Sequence, residues 1–208
     1  MIVVDLEMTG MDYERCGIVE IGAIDTDSLE EFYGEARLAE NNQIINEGNC
    51  DYTVQDVLGK TEAELREKTK QSEKQLLEKF FNWCKNAKVK NFICQHPHSD
   101  IAFLEQKARI HKIKFPFLSY KAFDMHSMAQ VRFFLLNKEF SLKSKQGELQ
   151  SAMGLPNILE LVGMKDKRKI NHNALEDAKL TAEAFSRLIY GKNLLKEYSE
   201  FSVPDYLK

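Results

Sequence analysis

The stretch Ile2-Val3-Val4-Asp5-Leu6-Glu7-Met8-Thr9-Gly10 sets two acids inside an apolar run. Its β-branched and apolar residues read as a core strand over residues 2–7, broken by Thr9-Gly10-Met11-Asp12. A strand projects alternate residues to opposite faces, so positions 5 and 7 share one face. Two anions placed that way repel each other and lose hydration, and a bound cation is one way to compensate them. The alternative is a strand end that emerges into water with both acids solvated. The stretch taken alone leaves both readings open.

Outward from it, residues 18–24 (Ile-Val-Glu-Ile-Gly-Ala-Ile) read as a second strand and residues 32–38 as a third, with a turn at 25–28. Together these form an antiparallel meander. A polar segment with Asn41, Asn42, Asn46, Gly48 and Asn49 follows, then short helical stretches. Residues 73–86 carry Leu76, Leu77, Phe80, Phe81 and Cys84 at helical spacing. Residues 91–95 read as a strand feeding a helix at 100–110, and 120–124 with 125–136 repeat that order. The charged stretch 164–170 is a loop, 174–190 is the last strong helix, and 192–208 is a tail, helical and then extended. A meander followed by alternating strands and helices predicts an α/β fold. Its mixed central sheet would join an antiparallel meander to parallel strands, with helices on its flanks. With no internal repeat and no long linker, residues 1–208 are expected to be a single domain, with 192–208 packed on it as an extension.

The chain of 208 residues is 43% hydrophobic and 29% charged, with a formal net charge of −3. That balance argues against a protein that coats long duplex DNA, and leaves room for one that handles a few nucleotides at a strand end. Cys16, Cys50, Cys84 and Cys94 are scattered, with neither a C-x-x-C pair nor zinc-ligand spacing. There is no leader-like or membrane-spanning segment, so no membrane partner and a cytoplasmic location are expected.

Two further acids fall where helices begin. Asp100 follows Pro97-His98-Ser99, with Ser99 the expected N-cap. Asp177 lies in Asn171-His172-Asn173-Ala174-Leu175-Glu176-Asp177-Ala178, where Asn173 and Glu176 have the spacing of a capping box. The positive end of a helix favours an ionised carboxylate, hence a ligand for a hard cation, although acids are common in first turns for dipole reasons alone. His172 would lie before the helix, free to face Asp177. Ala174, Ala178, Thr181, Ala182 and Ala184 would let the helix approach the sheet closely. His96, His98, His111 and His126 read as surface or capping residues.

Asp-x-Glu on a first strand, an Asp at a helix start in mid-chain and His-x-x-x-x-Asp near the end resemble the DEDDh 3′–5′ exonucleases. This superfamily has a ribonuclease H-like fold and includes the proofreading exonucleases, ribonuclease T and oligoribonuclease. Asp5-Leu6-Glu7-Met8-Thr9-Gly10-Met11-Asp12 is similar to the oligoribonuclease form of the first motif, with Met8 in place of Thr. His172-Asn173-Ala174-Leu175-Glu176-Asp177-Ala178 looks like the proofreading form of the third. The second motif departs: His96 stands where Asn is usual and Ser99 where Phe is usual, while Asp100, Phe103 and Leu104 match.

The resemblance implies that Asp5, Glu7, Asp100 and Asp177 bind two divalent cations, Mg²⁺ or Mn²⁺, and that His172 is the general base. It implies that Met8, Thr9 and His96 lie beside the substrate. The activity it implies is removal of nucleoside monophosphates from the 3′ ends of single-stranded DNA, RNA or short oligonucleotides. The alternative is a non-catalytic nucleic-acid-binding module on the same fold. Lys165-Asp166-Lys167-Arg168-Lys169 reads either as a cation cluster for a phosphate backbone or as a solvated loop. Phe103, Tyr120 and Phe123 are expected either to stack on bases or to lie in the core. Relatives are often dimers, which leaves a homodimer open, although no helix shows an apolar stripe left over for a partner.

Overall fold

The computed structural model describes residues 1–46, 53–116, 121–145, 147–168 and 172–208. Strands β1 (Ile2–Met8), β2 (Ile18–Asp25) and β3 (Glu31–Glu35) form the antiparallel meander. After the short helices α1 (Val54–Leu58) and α2 (Glu62–Leu65) comes α3 (Glu73–Cys84). Strand β4 (Phe92–Cys94) pairs parallel with β1, α4 (Pro97–Ile110) follows, and β5 (Ala122–Asp124) pairs parallel with β4. The sheet order is β3-β2-β1-β4-β5, so the strand that carries Asp5 and Glu7 is central.

Each face of the sheet has its own core. Ile2, Val4 and Leu6 of β1 pack with Leu76, Leu77 and Phe80 of α3 and with Phe103 and Leu104 of α4. Val3, Ile24 and Ile93 point the other way, into a cluster that includes Ala178, Ala182 and Phe185 of the last helix. Strand β2 is buried along its whole length because both faces are covered.

The chain continues through α5 (Met125–Asn137) to an antiparallel hairpin, β6 (Leu142–Lys145) and β7 (Glu148–Ser151), and then α6 (Leu155–Leu161). The hairpin and α6 were not expected. A glycine at 147 with φ of 84° between the strands and Pro156 in the first turn of α6 are the signals that mark them. Helix α7 (Ala174–Tyr190) precedes two short 3₁₀ turns, Lys196–Tyr198 and Asp205–Leu207. Leu195 and Leu207 of this tail are buried in the second core cluster.

One expectation is corrected here. Helix α5 does carry exposed apolar residues: Val131 and Leu135 are more than half exposed, with Leu136 and with Phe134, which stacks on Phe140, beside them. No helix among the described residues is long and apolar enough to cross a membrane. Cys16, Cys84 and Cys94 are buried free thiols, and Cys50 lies outside the described residues.

Candidate active site

Alternation along β1 turns Asp5 and Glu7 toward the face covered by α7, the face that also takes Val3. Their cross-strand neighbours on β2 are Gly22 and Glu20. A Cβ on Gly22 would lie 2.1 Å from the backbone carbon of Ala174, so only glycine lets the start of α7 lie against the sheet. A register shift between Glu7 and Met8 then ends the regular ladder just past the second acid.

Helix α7 begins as its sequence dictates. The Asn173 side chain accepts from the Glu176 N–H at 3.1 Å, satisfying one of the free donors of the first turn. His172 lies before the cap, its backbone N–H donating to the Val57 carbonyl at 2.9 Å. Its Nδ1 is 3.3 Å from Asp177 Oδ2. Glu7, His172 and Asp177 each offer a ligand atom within 4.8 Å of the other two.

Asp100 arrives from the opposite layer. Helix α4 starts at Pro97, with His96 as its N-cap in place of the expected Ser99. Proline is pre-set for the first helical position and has no N–H to leave unsatisfied there. Ser99 instead donates its hydroxyl to the His96 carbonyl at 3.0 Å. Asp100 remains in the first turn, buried and close enough to Asp5 and Glu7 to repel both.

The electrostatics follow from this convergence. Glu7, Asp100 and Asp177 are buried and Asp5 is partly buried. Desolvation first, then repulsion from Glu7, Asp100 and Asp177, pushes Asp5 well above the usual carboxylate range. Burial raises Glu7 to about 8 and Asp100 to about 7. The hydrogen bond to Asp177 raises His172. Asp177 Oδ1 is buried with no hydrogen-bond partner, while Oδ2 receives Arg168 Nη1 at 2.8 Å. Asp5, Glu7 and Asp100 have no ion-pair partner among the described residues. A cluster of oxygen donors, mutually repelling and with one buried oxygen orphaned, fits hard divalent cations.

The basic loop divides. Arg168 turns inward to Asp177, Lys167 turns away to Glu200 at 2.7 Å, and Lys169 lies outside the described residues. Of the residues expected beside substrate, Met8 is partly exposed at the end of β1. Thr9 is fully buried: its hydroxyl donates to the Gln43 carbonyl at 2.6 Å and accepts from Gly17 N–H at 2.9 Å. That side chain closes the β1–β2 connection. His96 is exposed, its ring 5.0 Å from that of His126; partial desolvation and that neighbour lower its pKa. Phe103 is a core residue, Phe123 is 42% exposed against Phe185, and Tyr120 lies outside the described residues. His111 is more than a cap: its Nε2 lies 2.7 Å from buried Glu73, which also accepts the Ile18 N–H.

Glu20 and Gly22 were not expected to matter. Glu20 is buried across from Glu7, bonded to Lys60, and accepts the Ala174 N–H at 3.4 Å, so it holds the start of α7. Glu20 in Ile18-Val19-Glu20-Ile21 is, like Asp5 and Glu7, an acid on an apolar strand.

A family model described as an exonuclease matches residues 2–185. The chain belongs to that family, within the DEDDh 3′–5′ exonuclease superfamily, and its sheet is ribonuclease H-like. Among solved structures it is similar to the nuclease domain of 3′hExo bound to rAMP, at 20% identity and a TM-score of 0.61, covering 94% of each chain. It is similar to the cell-death related nuclease CRN-4 at 14% identity and a TM-score of 0.66, covering 92% of this chain and 64% of that one. E. coli Exonuclease I in complex with a dT13 oligonucleotide gives 14% identity and a TM-score of 0.67, over 89% of this chain and 40% of that one. At these identities the likeness is one of fold, and the chain spans well under the full length of the last two. Comparison with curated protein sequences yields no match.

Proposed function

We propose that this protein is a metal-dependent 3′–5′ exonuclease. It would release nucleoside monophosphates from the 3′ ends of single-stranded DNA, RNA or short oligonucleotides. The observation that carries this reading is the meeting of Asp5, Glu7, Asp100 and Asp177 from three elements on one pole, with three of the four raised chiefly by burial. These four would hold two divalent cations, Mg²⁺ or Mn²⁺. When bound, such ions polarise the phosphate, supply an activated water and stabilise the leaving 3′ oxygen.

The chain's own residues do the rest. Gly22 and Glu20 fix α7 against the sheet, so Asp177 meets the strand acids without adjustment. His172 takes the proton of the attacking water, and it can do so only when neutral. Its hydrogen bond to Asp177 favours the protonated ring, so the base becomes competent as the charge of Asp177 is engaged elsewhere. Met8 and His96, at the ends of β1 and β4, flank the place where the terminal nucleotide would lie. Neighbours crystallised with rAMP and with dT13 support a nucleotide ligand on this fold.

The test is a 5′-labelled single strand, DNA and RNA in parallel, incubated with Mg²⁺ or Mn²⁺. Stepwise shortening from the 3′ end is expected, with a circular single strand left whole. Cleavage of the circle would replace the exonuclease reading with an endonuclease. The altered second motif keeps one other reading in view, binding without cleavage; retention of oligonucleotide with no shortening in either metal would establish it.

A further inference from the structure

Arg168 is the one lysine or arginine in ion-pair distance of the four site acids among the described residues. Its side chain is 8% exposed. Nη1 bonds Asp177 Oδ2 at 2.8 Å, while Nε and Nη2 bond the two oxygens of Asp166 at 3.0 and 2.7 Å. Asp166 is thus a two-point clamp that aims the third corner of a planar guanidinium at the site. The same Asp177 oxygen already takes His172 Nδ1 at 3.3 Å.

We infer that Arg168 is the resident counter-cation of this pole: a positioning residue whose ion pair with Asp177 is exchanged for a divalent cation, and which therefore sets the site's metal affinity. This rests on the reading that the acids bind metal. Arg168 and His172 both approach Asp177 Oδ2, which leaves Oδ1 as the unpartnered oxygen for a hard cation on the same carboxylate. A guanidinium hydrogen-bonded to a ligand also stands close enough to repel that cation in a poorly screened site. The arrangement serves the chain before metal arrives. It pairs Asp177, where an unpaired buried carboxylate would be costly.

A purely structural Arg168, one that merely orients Asp177 for metal, makes the opposite prediction, and the sign separates the two. The probe is Mn²⁺ alone, added to metal-free protein at neutral pH and low salt, with the free ion followed by electron paramagnetic resonance. Arg168→Gln is expected to bind Mn²⁺ about tenfold more tightly than wild type, since a competing charge is gone. Asp166→Asn, which leaves the arginine but loosens its clamp, is expected to tighten binding by about threefold. Unchanged or weaker binding in Arg168→Gln overturns the inference. Should that variant fail to fold, unchanged binding in Asp166→Asn overturns it. Asp5→Asn tests the underlying reading separately. If wild type binds no more Mn²⁺ than Asp5→Asn, the metal site itself is refuted, and the role of Arg168 with it.

Discussion

Near the carboxyl end of α7, Glu183 and Arg187 are both 0% exposed, and each side-chain nitrogen and oxygen of the pair has a partner within the chain. Arg187 Nε meets Glu183 Oε1 at 2.7 Å, and its other nitrogens reach the carbonyls of Val162, Tyr198 and Phe201. Glu183 Oε2 takes the N–H groups of Leu194 and Leu195. At the amino end of the same helix, Asp177 has one buried oxygen with no partner, and the acids facing it are short of counter-charge. One helix therefore buries charge in two ways. The closed network ties α6 and the tail to α7 and asks nothing of solvent. The open one is tolerable only with help that the chain does not fully supply, and that shortfall separates a site from a structural ion pair.

The largest expected effect is on activity. Asp5→Asn or Asp177→Asn should lower the rate of 3′ shortening by about 10³-fold or more, since each removes a ligand and its charge from the pole. Asp5→Asn should leave the melting temperature of metal-free protein unchanged or higher, because it relieves repulsion, whereas Asp177→Asn also breaks the ion pair with Arg168. Undiminished cleavage by Asp5→Asn would remove the distinction between the two ends of α7. Arg187→Ala is expected to invert the pattern. Breaking a closed buried network strands Glu183 and three carbonyls, at a cost of about 3–5 kcal/mol in denaturant unfolding. Cleavage per folded molecule should change little, and a stability loss below about 1 kcal/mol would show that the network is dispensable.

The two ends of α7 also differ in how far the sequence discloses them. Asp5, Glu7, His172 and Asp177 stand out because acids on an apolar strand and a histidine before a capped helix are locally odd. Glu183 and Arg187 are an ordinary i,i+4 pair on a helix that reads as amphipathic, and only the tail folding back over them makes them core. The meander and the order of later elements were legible from period and punctuation. The β6–β7 hairpin was not, since its residues are nearly all exposed and carry little apolar alternation. Arg168 was visible only as one charge among several. Which member of a basic loop turns inward depends on Asp166 and Asp177 meeting in space, and no local pattern encodes that.

Gly22→Ala probes the scaffold shared by both ends. The new methyl would meet Ala174 backbone, which cannot yield as a flexible side chain can. A loss of about 1–3 kcal/mol is expected from overpacking, smaller than for Arg187→Ala. It should also slow cleavage, because the displaced segment carries His172 and leads to Asp177. If stability falls while cleavage per folded molecule holds, the start of α7 is not what sets the geometry of the acids.

The smallest effect, and the one that most sharpens the contrast, is the response of stability to pH with metal removed. Burial places Glu7 at about 8 and Asp100 at about 7, against ordinary values of 4.5 and 3.8. Between those limits the folded state binds more protons than the unfolded chain, so stability falls as pH rises. The contribution is whole below the ordinary values and is lost as pH climbs through 7 to 8. Glu35 lies outside this window. Lys70, Tyr33 and Lys60 outweigh its desolvation and hold it at about 2, so its contribution is lost only as pH drops toward that value. Metal-free protein in chelator should therefore melt a few degrees lower at pH about 8 than at pH about 5.5. Saturating Mg²⁺ should abolish that slope by holding the acids ionised at no cost in repulsion, and Asp5→Asn should flatten it without metal. A slope of the same size with and without Mg²⁺ would place its origin elsewhere in the chain and remove the acid pole as the source of strain.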